Sequence, residues 1–144
     1  MVHLMNGRWF ALTTLALLLL VSAAHVLAAP PPSCKGDAQA FARTDLFFGR
    51  ARPGGVVTEA QFQAFVDAEV TPRFPDGLTL LAGIGRFRDT GGASVVEGAN
   101  VLILLYPQHD AHADRKIDAI RSDYRRRFEQ QSVLRADSAT CVSF

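Results

Sequence analysis

The chain has 144 residues, with 15 Lys and Arg against 14 Asp and Glu and a formal net charge of +1. So even a balance gives no electrostatic case for nucleic acid or an anionic membrane surface as a partner. Hydrophobic residues make up 49% of the chain, but an apolar N-terminal stretch inflates that share, and the remainder is ordinary for a globular domain.

Residues 1–9 carry one firm charge, Arg8; residues 10–21 are almost wholly apolar, and residues 22–28 are mostly small. Val26-Leu27-Ala28 fits the small-residue rule for signal peptidase, which predicts a signal peptide over residues 1–28. The alternative is an uncleaved anchor, since about 20 apolar residues can span a bilayer. A membrane is a partner only in that case. A lipoprotein reading through Cys34 is weaker, because Pro31-Pro32-Ser33 lacks the Leu and the small residue of a lipobox. The chain beyond Ala28 is long enough for one domain with a core. Residues 29–39, with their Pro run, form an extended lead-in, and residues 40–144 form the domain.

Cys34 and Cys141 are the two cysteines, without Cys-x-x-Cys or metal-ligand spacing. In an exported protein two cysteines read as one disulfide, with two free thiols as the alternative.

Residues 40–49 alternate as a strand, with Ala42, Thr44, Leu46 and Phe48 on one face and Phe41, Arg43, Asp45 and Phe47 on the other. Residues 50–55 are a loop, broken by Pro53-Gly54-Gly55. Thr58-Glu59-Ala60-Gln61 has the form of a capping box, and Phe62, Phe65, Val66 and Val70 come after it at helical spacing. Pro72 ends the helix, because the residue before a proline is pushed out of the helical region. The chain then turns at Asp76-Gly77 and enters a strand over residues 78–88. Asp89-Thr90-Gly91-Gly92 signals a hairpin, which residues 94–97 continue with Gly98 as a candidate bulge. The unbroken apolar run of residues 101–106 predicts a central strand buried on both sides. Asp110 can cap a second helix, whose buried stripe is Ala113, Ile117, Ile120, Tyr124 and Phe128. Residues 132–141 read as a polar edge strand.

The order β-α-β-β-α-β is the ferredoxin-like arrangement: an α+β fold with four antiparallel strands in the order 4-1-3-2 and both helices on one face. It sets the start of the first strand beside the end of the fourth, so a Cys34–Cys141 bridge is also permitted by topology.

The run Leu46-Phe47-Phe48-Gly49-Arg50, the segment Glu69-Val70-Thr71-Pro72-Arg73-Phe74-Pro75-Asp76-Gly77-Leu78-Thr79 and the ending Cys141-Val142-Ser143-Phe144 resemble a family of small exported bacterial proteins, classified as a domain of unknown function. The similarity covers nearly all of the chain after the leader. It implies a bacterial, exported setting and a periplasmic or secreted location. It brings no activity and no catalytic residue.

The topology gathers the polar residues at two ends. Arg50, Arg52 and Arg88 approach a glycine loop and the capped start of the first helix, an arrangement able to hold a small carboxylate or phosphate. The plainer reading is a solvated basic rim. His109 and His112 are weak candidate metal ligands, with Asp110 or Asp114 as a further donor, and an exposed pair at a helix start is the favoured reading. Arg73, Asp76 and Gly77 are expected to hold the turn between the first helix and the second strand rather than to do chemistry. No Walker-type Gly-x-x-x-x-Gly-Lys is present, and no cofactor is expected.

Three functional classes fit these residues. The leading one is an exported binding or interaction module that uses the sheet face free of helices, with a homodimer as the expected partner arrangement. The second is an enzyme with a small pocket at a dimer interface, and the third a structural envelope protein without a ligand. An apolar open face favours the first two and a polar one the third. Chain recovered from an oxidising compartment should show, by intact mass spectrometry, loss of residues 1–28 and a deficit of two hydrogens. A full-length mass would favour the retained anchor, and two thiols labelling without reductant would exclude the bridge.

Overall fold

In the computed structural model, which describes residues 32–88 and 91–144, the strand expected at residues 40–49 is the spine of a four-stranded antiparallel sheet. The signal peptide expected over residues 1–28 lies outside the described residues. Strand β1 (Gln39–Gly49) pairs on one side with β5 (Ser94–Pro107) and on the other with β6 (Leu134–Val142), and β4 (Thr79–Arg88) lies outside β5. The order β4-β5-β1-β6 is the expected 4-1-3-2 order of a ferredoxin-like fold, read from the other edge. Helices α1 (Glu59–Phe65) and α2 (Ala113–Phe128) cover the face that carries Leu46, Phe48, Leu102 and Leu104.

The helix starts come from local chemistry. Thr58 and Gln61 close the capping box, with the Gln61 N–H donating to the Thr58 hydroxyl at 3.2 Å and the Thr58 N–H donating to Gln61 Oε1 at 3.0 Å. α1 then widens into a π turn over Val66–Val70, which keeps both Val66 and Val70 buried ahead of Pro72. The second helix does not use the expected Asp110 cap: its N-cap is His112 without a side-chain cap, and Asp110 instead accepts from the His112 N–H at 2.9 Å and pairs with Lys116 at 3.1 Å. These contacts lower the Asp110 pKa below 3.8, the His112 N–H contributing most.

The core is aromatic. Tyr124 is fully buried among Phe48, Phe62, Phe65 and Phe128, with ring centroids 4.6–6.1 Å from its own. Burial pushes its phenol up to about 12, so it remains a neutral donor, and it donates to the Gly49 carbonyl at 2.8 Å.

Three sequence expectations are corrected. The first loop is not irregular throughout, since Ala51–Arg52 (β2) and Gly55–Val56 (β3) pair as a small hairpin. Gly98 is no bulge: it pairs in register with Ile84, and its bare Cα lets the Arg50 side chain cross, with Cδ 3.5 Å from where a Cβ would stand. Residues 101–106 are central but covered on one face only, for Leu102 and Leu104 are buried while Leu105 is 43% exposed. The apolar run recorded a sheet with one helical layer and a second apolar face, not burial on both sides.

Cys34 and Cys141 form the disulfide, with Cα atoms 5.5 Å apart across a separation of 107 residues. It fastens the lead-in to the end of β6, beside the Ala40–Cys141 register pair, and a loop of that size is stabilised by about 4 kcal/mol in the chain-entropy account. At the turn before β4, Gly77 has φ +133 with nothing within 4 Å of a built Cβ, so the demand there is purely conformational. Gly77→Val should therefore lower stability by more than about 1 kcal/mol through backbone strain, read as a shifted denaturation midpoint. An unchanged midpoint would reject this account of the turn.

Candidate functional site

Because both helices lie on one side, the odd-numbered residues of β1 face outward with their register partners. Leu81, Val101, Phe47 and Leu134 form one complete apolar row across all four strands. Leu81 is 51% exposed, Phe47 37% and Leu134 63%. The next row is Thr79, Ile103, Asp45 and Ala136, and the one after it joins Leu105, Arg43 and Ser138. The charges on the β1 part of this face neutralise each other: Arg43 donates twice to Asp45, at 2.8 and 3.0 Å.

Beyond Leu105 the face ends in a cavity of about 480 Å³. Its floor is Ile103 and Leu105, one side is the turn at Asp76, Gly77 and Leu78, and the other is Phe41 with the C-terminal Val142 and Phe144. The Phe41 and Phe144 rings meet edge to face at 6.3 Å. Among the described residues that line it, Asp76 carries the sole charged side chain. A shallower cleft of about 290 Å³ between the helices holds Glu69, Asp123 and Arg126, already engaged in ion pairs.

Each of the three arginines expected to converge has its own surroundings, and Arg88 lies further along β4. The Arg50 backbone accepts from the Val57 N–H at 2.8 Å, its Nε donates to the Val57 carbonyl at 2.8 Å, and its guanidinium reaches Glu59 at 3.5 Å. Arg52 lies in β2 with a buried Nε that has no partner among the described residues. Arg88 donates to the Gly92 carbonyl at 3.0 Å, four residues along β4 from the Ile84–Gly98 pair, a displacement of about 13 Å. His109 and His112 are exposed, and His112 contacts the Arg115 guanidinium, a cation that opposes a metal. Among the described residues no three His, Cys, Asp or Glu side chains are gathered for a metal. Arg73 holds its turn by pairing with Glu69 at 2.7 Å and with Asp123 on α2 at 3.0 Å, and its hydrogen bond lowers the Glu69 pKa. Asp76 takes no part in that network.

The family profile of DUF3574, described as a protein of unknown function, matches residues 43–144. The chain belongs to this family. The matched stretch contains the turn at Asp76, the apolar rows and Cys141, and it begins after Cys34, so the disulfide anchors the family domain to the segment ahead of it. Among solved structures the chain is similar in fold to a phage SAM lyase in complex with S-methyl-5′-thioadenosine, with a TM-score of 0.55, 14% identity and coverage of 78% of this chain and 95% of that one. A phage SAM lyase in the apo state matches with a TM-score of 0.50 and 16% identity, covering 80% of this chain and 97% of that one. No curated protein matches the chain.

Sequence reasoning missed a polar network inside the family domain. Thr44, fully buried, donates to Asp137 at 2.6 Å and shares a 2.9 Å hydrogen bond with the Tyr106 hydroxyl. Asp137 in turn holds Arg135, which also pairs with Asp114 on α2. Burial disfavours the Arg135 charge, but Asp114 and Asp137 outweigh it and raise the pKa. The signal available was a lone Thr on the inward face of β1; its partners are set by register with β6. The network ties sheet to helix.

The engagement of Arg50 makes it a clamp on the first loop. Arg50→Ala should cost about 1–2 kcal/mol of stability by chemical denaturation, since it removes a charged donor from the Val57 carbonyl. An unaltered midpoint would show that the clamp is idle.

Proposed function

We propose that this protein is an exported interaction module that pairs with a second copy of itself through the open face of its sheet. The observation that carries the reading is the apolar row Leu81–Val101–Phe47–Leu134, which crosses the sheet opposite the helices. Four strands about 4.8 Å apart and nine paired residues long present roughly 600 Å² per copy, or roughly 1,200 Å² in a pair. A pair of that size reaches the lower end of the range of specific interfaces. Pairing about a two-fold axis through β1 would set Arg43 and Asp45 of one copy near Asp45 and Arg43 of the other, which is self-complementary. The apolar face argues against a purely structural envelope role.

Export is supported by the disulfide, a bond of oxidising compartments, and by the leader-like residues 1–28. Among the described residues no helix is long and apolar enough to cross a membrane.

A second reading is an enzyme with a small pocket near the interface of two copies. The fold shared with phage SAM lyases and the cavity beside the open face favour it. The binding reading leads because the described cavity walls offer one titratable side chain, Asp76, and no nucleophile beside it.

Sedimentation of the chain freed of its leader should show a dimer, and Leu81→Glu should convert it to a monomer with an unchanged circular dichroism spectrum. A wild type that stays monomeric at high-micromolar concentration rejects the pairing.

A further inference from the structure

We propose that the cavity at the end of the open face binds a small organic cation with an apolar body, such as an aryl- or alkylammonium. The proposal goes beyond self-pairing, since every wall of the cavity comes from one copy.

Ile103, Leu105, Phe41 and Phe144 provide apolar surface, and the volume of about 480 Å³ falls within the range of small-molecule sites. Asp76, an exposed residue, makes no hydrogen bond or ion pair among the described residues, whereas Glu69 before the turn is held by Arg73. Arg43, two residues from Phe41 along β1, is committed to Asp45 by two hydrogen bonds. The cavity therefore presents one carboxylate and no cation of its own. Phe41, met edge to face by Phe144, adds aromatic surface to the cavity wall, and an aromatic surface suits a cation better than an anion. A ligand seated on the apolar walls would also exclude water from between its charge and Asp76, strengthening their attraction. Charge, ring chemistry and size thus select the same class of ligand.

Val142 directly succeeds Cys141 and pairs with Gln39, so the β1–β6 ladder and the bridge beside it set this wall, while Phe144 beyond them is fully exposed.

Isothermal calorimetry with benzyltrimethylammonium, and with phenylacetate as its anionic counterpart, tests the proposal on wild type, Asp76→Asn and Leu81→Glu. Asn keeps the turn chemistry of Asp, and circular dichroism checks the fold. The expected result is binding of the cation and not of phenylacetate, weakening by at least about fivefold in Asp76→Asn as for a partly exposed ion pair, and retention in Leu81→Glu. No binding of the cation to wild type, equal binding of phenylacetate, or an unchanged affinity in Asp76→Asn overturns the proposal. Loss of binding in Leu81→Glu would place the site across two copies and overturn it as well, whereas a monomeric wild type that binds the cation overturns only the pairing.

Discussion

Tyr124 joins the two layers of the molecule. Its ring packs against Phe48 at 4.6 Å and Phe65 at 5.2 Å, and its hydroxyl donates to the Gly49 carbonyl at the end of the central strand. A buried aromatic with a satisfied hydroxyl contributes both area and direction, because the hydrogen bond permits only one placement of α2 over β1. With α2 so placed, Ile117 and Ile120 fall on the sheet, and Asp123 on the same helix meets Arg73 from the end of α1. The helical layer is held at its centre by rings and at its margin by ions.

A single helical layer has a consequence on the opposite side. A sheet alternates its side chains strictly, so a strand with Leu102 and Leu104 under the helices must present Val101, Ile103 and Leu105 to the other side. A protein that left this face to water alone would gain from polar residues there. Instead an apolar row crosses four strands, and β6 turns polar only in its second half, at Ser138 and Thr140. The cavity arises where this face runs out: the Asp76 turn on one side and the disulfide-held C-terminal segment on the other rise above the end of β5. The proposed pairing surface and the cavity lie on one face and meet at Thr79, Ile103 and Leu105.

The Asp76 turn shows how a structural element comes to border a site. Gly77 supplies the φ that the turn needs, Arg73 fastens the preceding helix to α2, and the pairing leaves Asp76 with no internal partner among the described residues. Its carboxylate stays available at the mouth of an apolar cavity because the ions that stabilise the turn are satisfied elsewhere.

Element order, the cap of the first helix and the inward stripes were legible in the sequence, because each depends on residues within a turn or two of one another: Thr58 with Gln61, Ala113 through Phe128 at helical spacing, Thr44, Leu46 and Phe48 at alternate positions. The ferredoxin-like order came from those elements, and the bridge between Cys34 and Cys141 from that order. The sites were not legible in this way. Arg50, Arg52 and Arg88 have the composition of an anion site, yet where Arg88 stands relative to the other two depends on how far β4 extends past β1, which the sequence does not state. The apolar run at residues 101–106 is the same for a strand covered on one face or on two. Only the number of layers distinguishes the cases, and that number is a property of the assembled fold. Local spacing determined the elements of this protein; the cavity beside Asp76 was decided by tertiary structure, because its walls come from three strands, a turn and a disulfide-held terminus far apart in the chain.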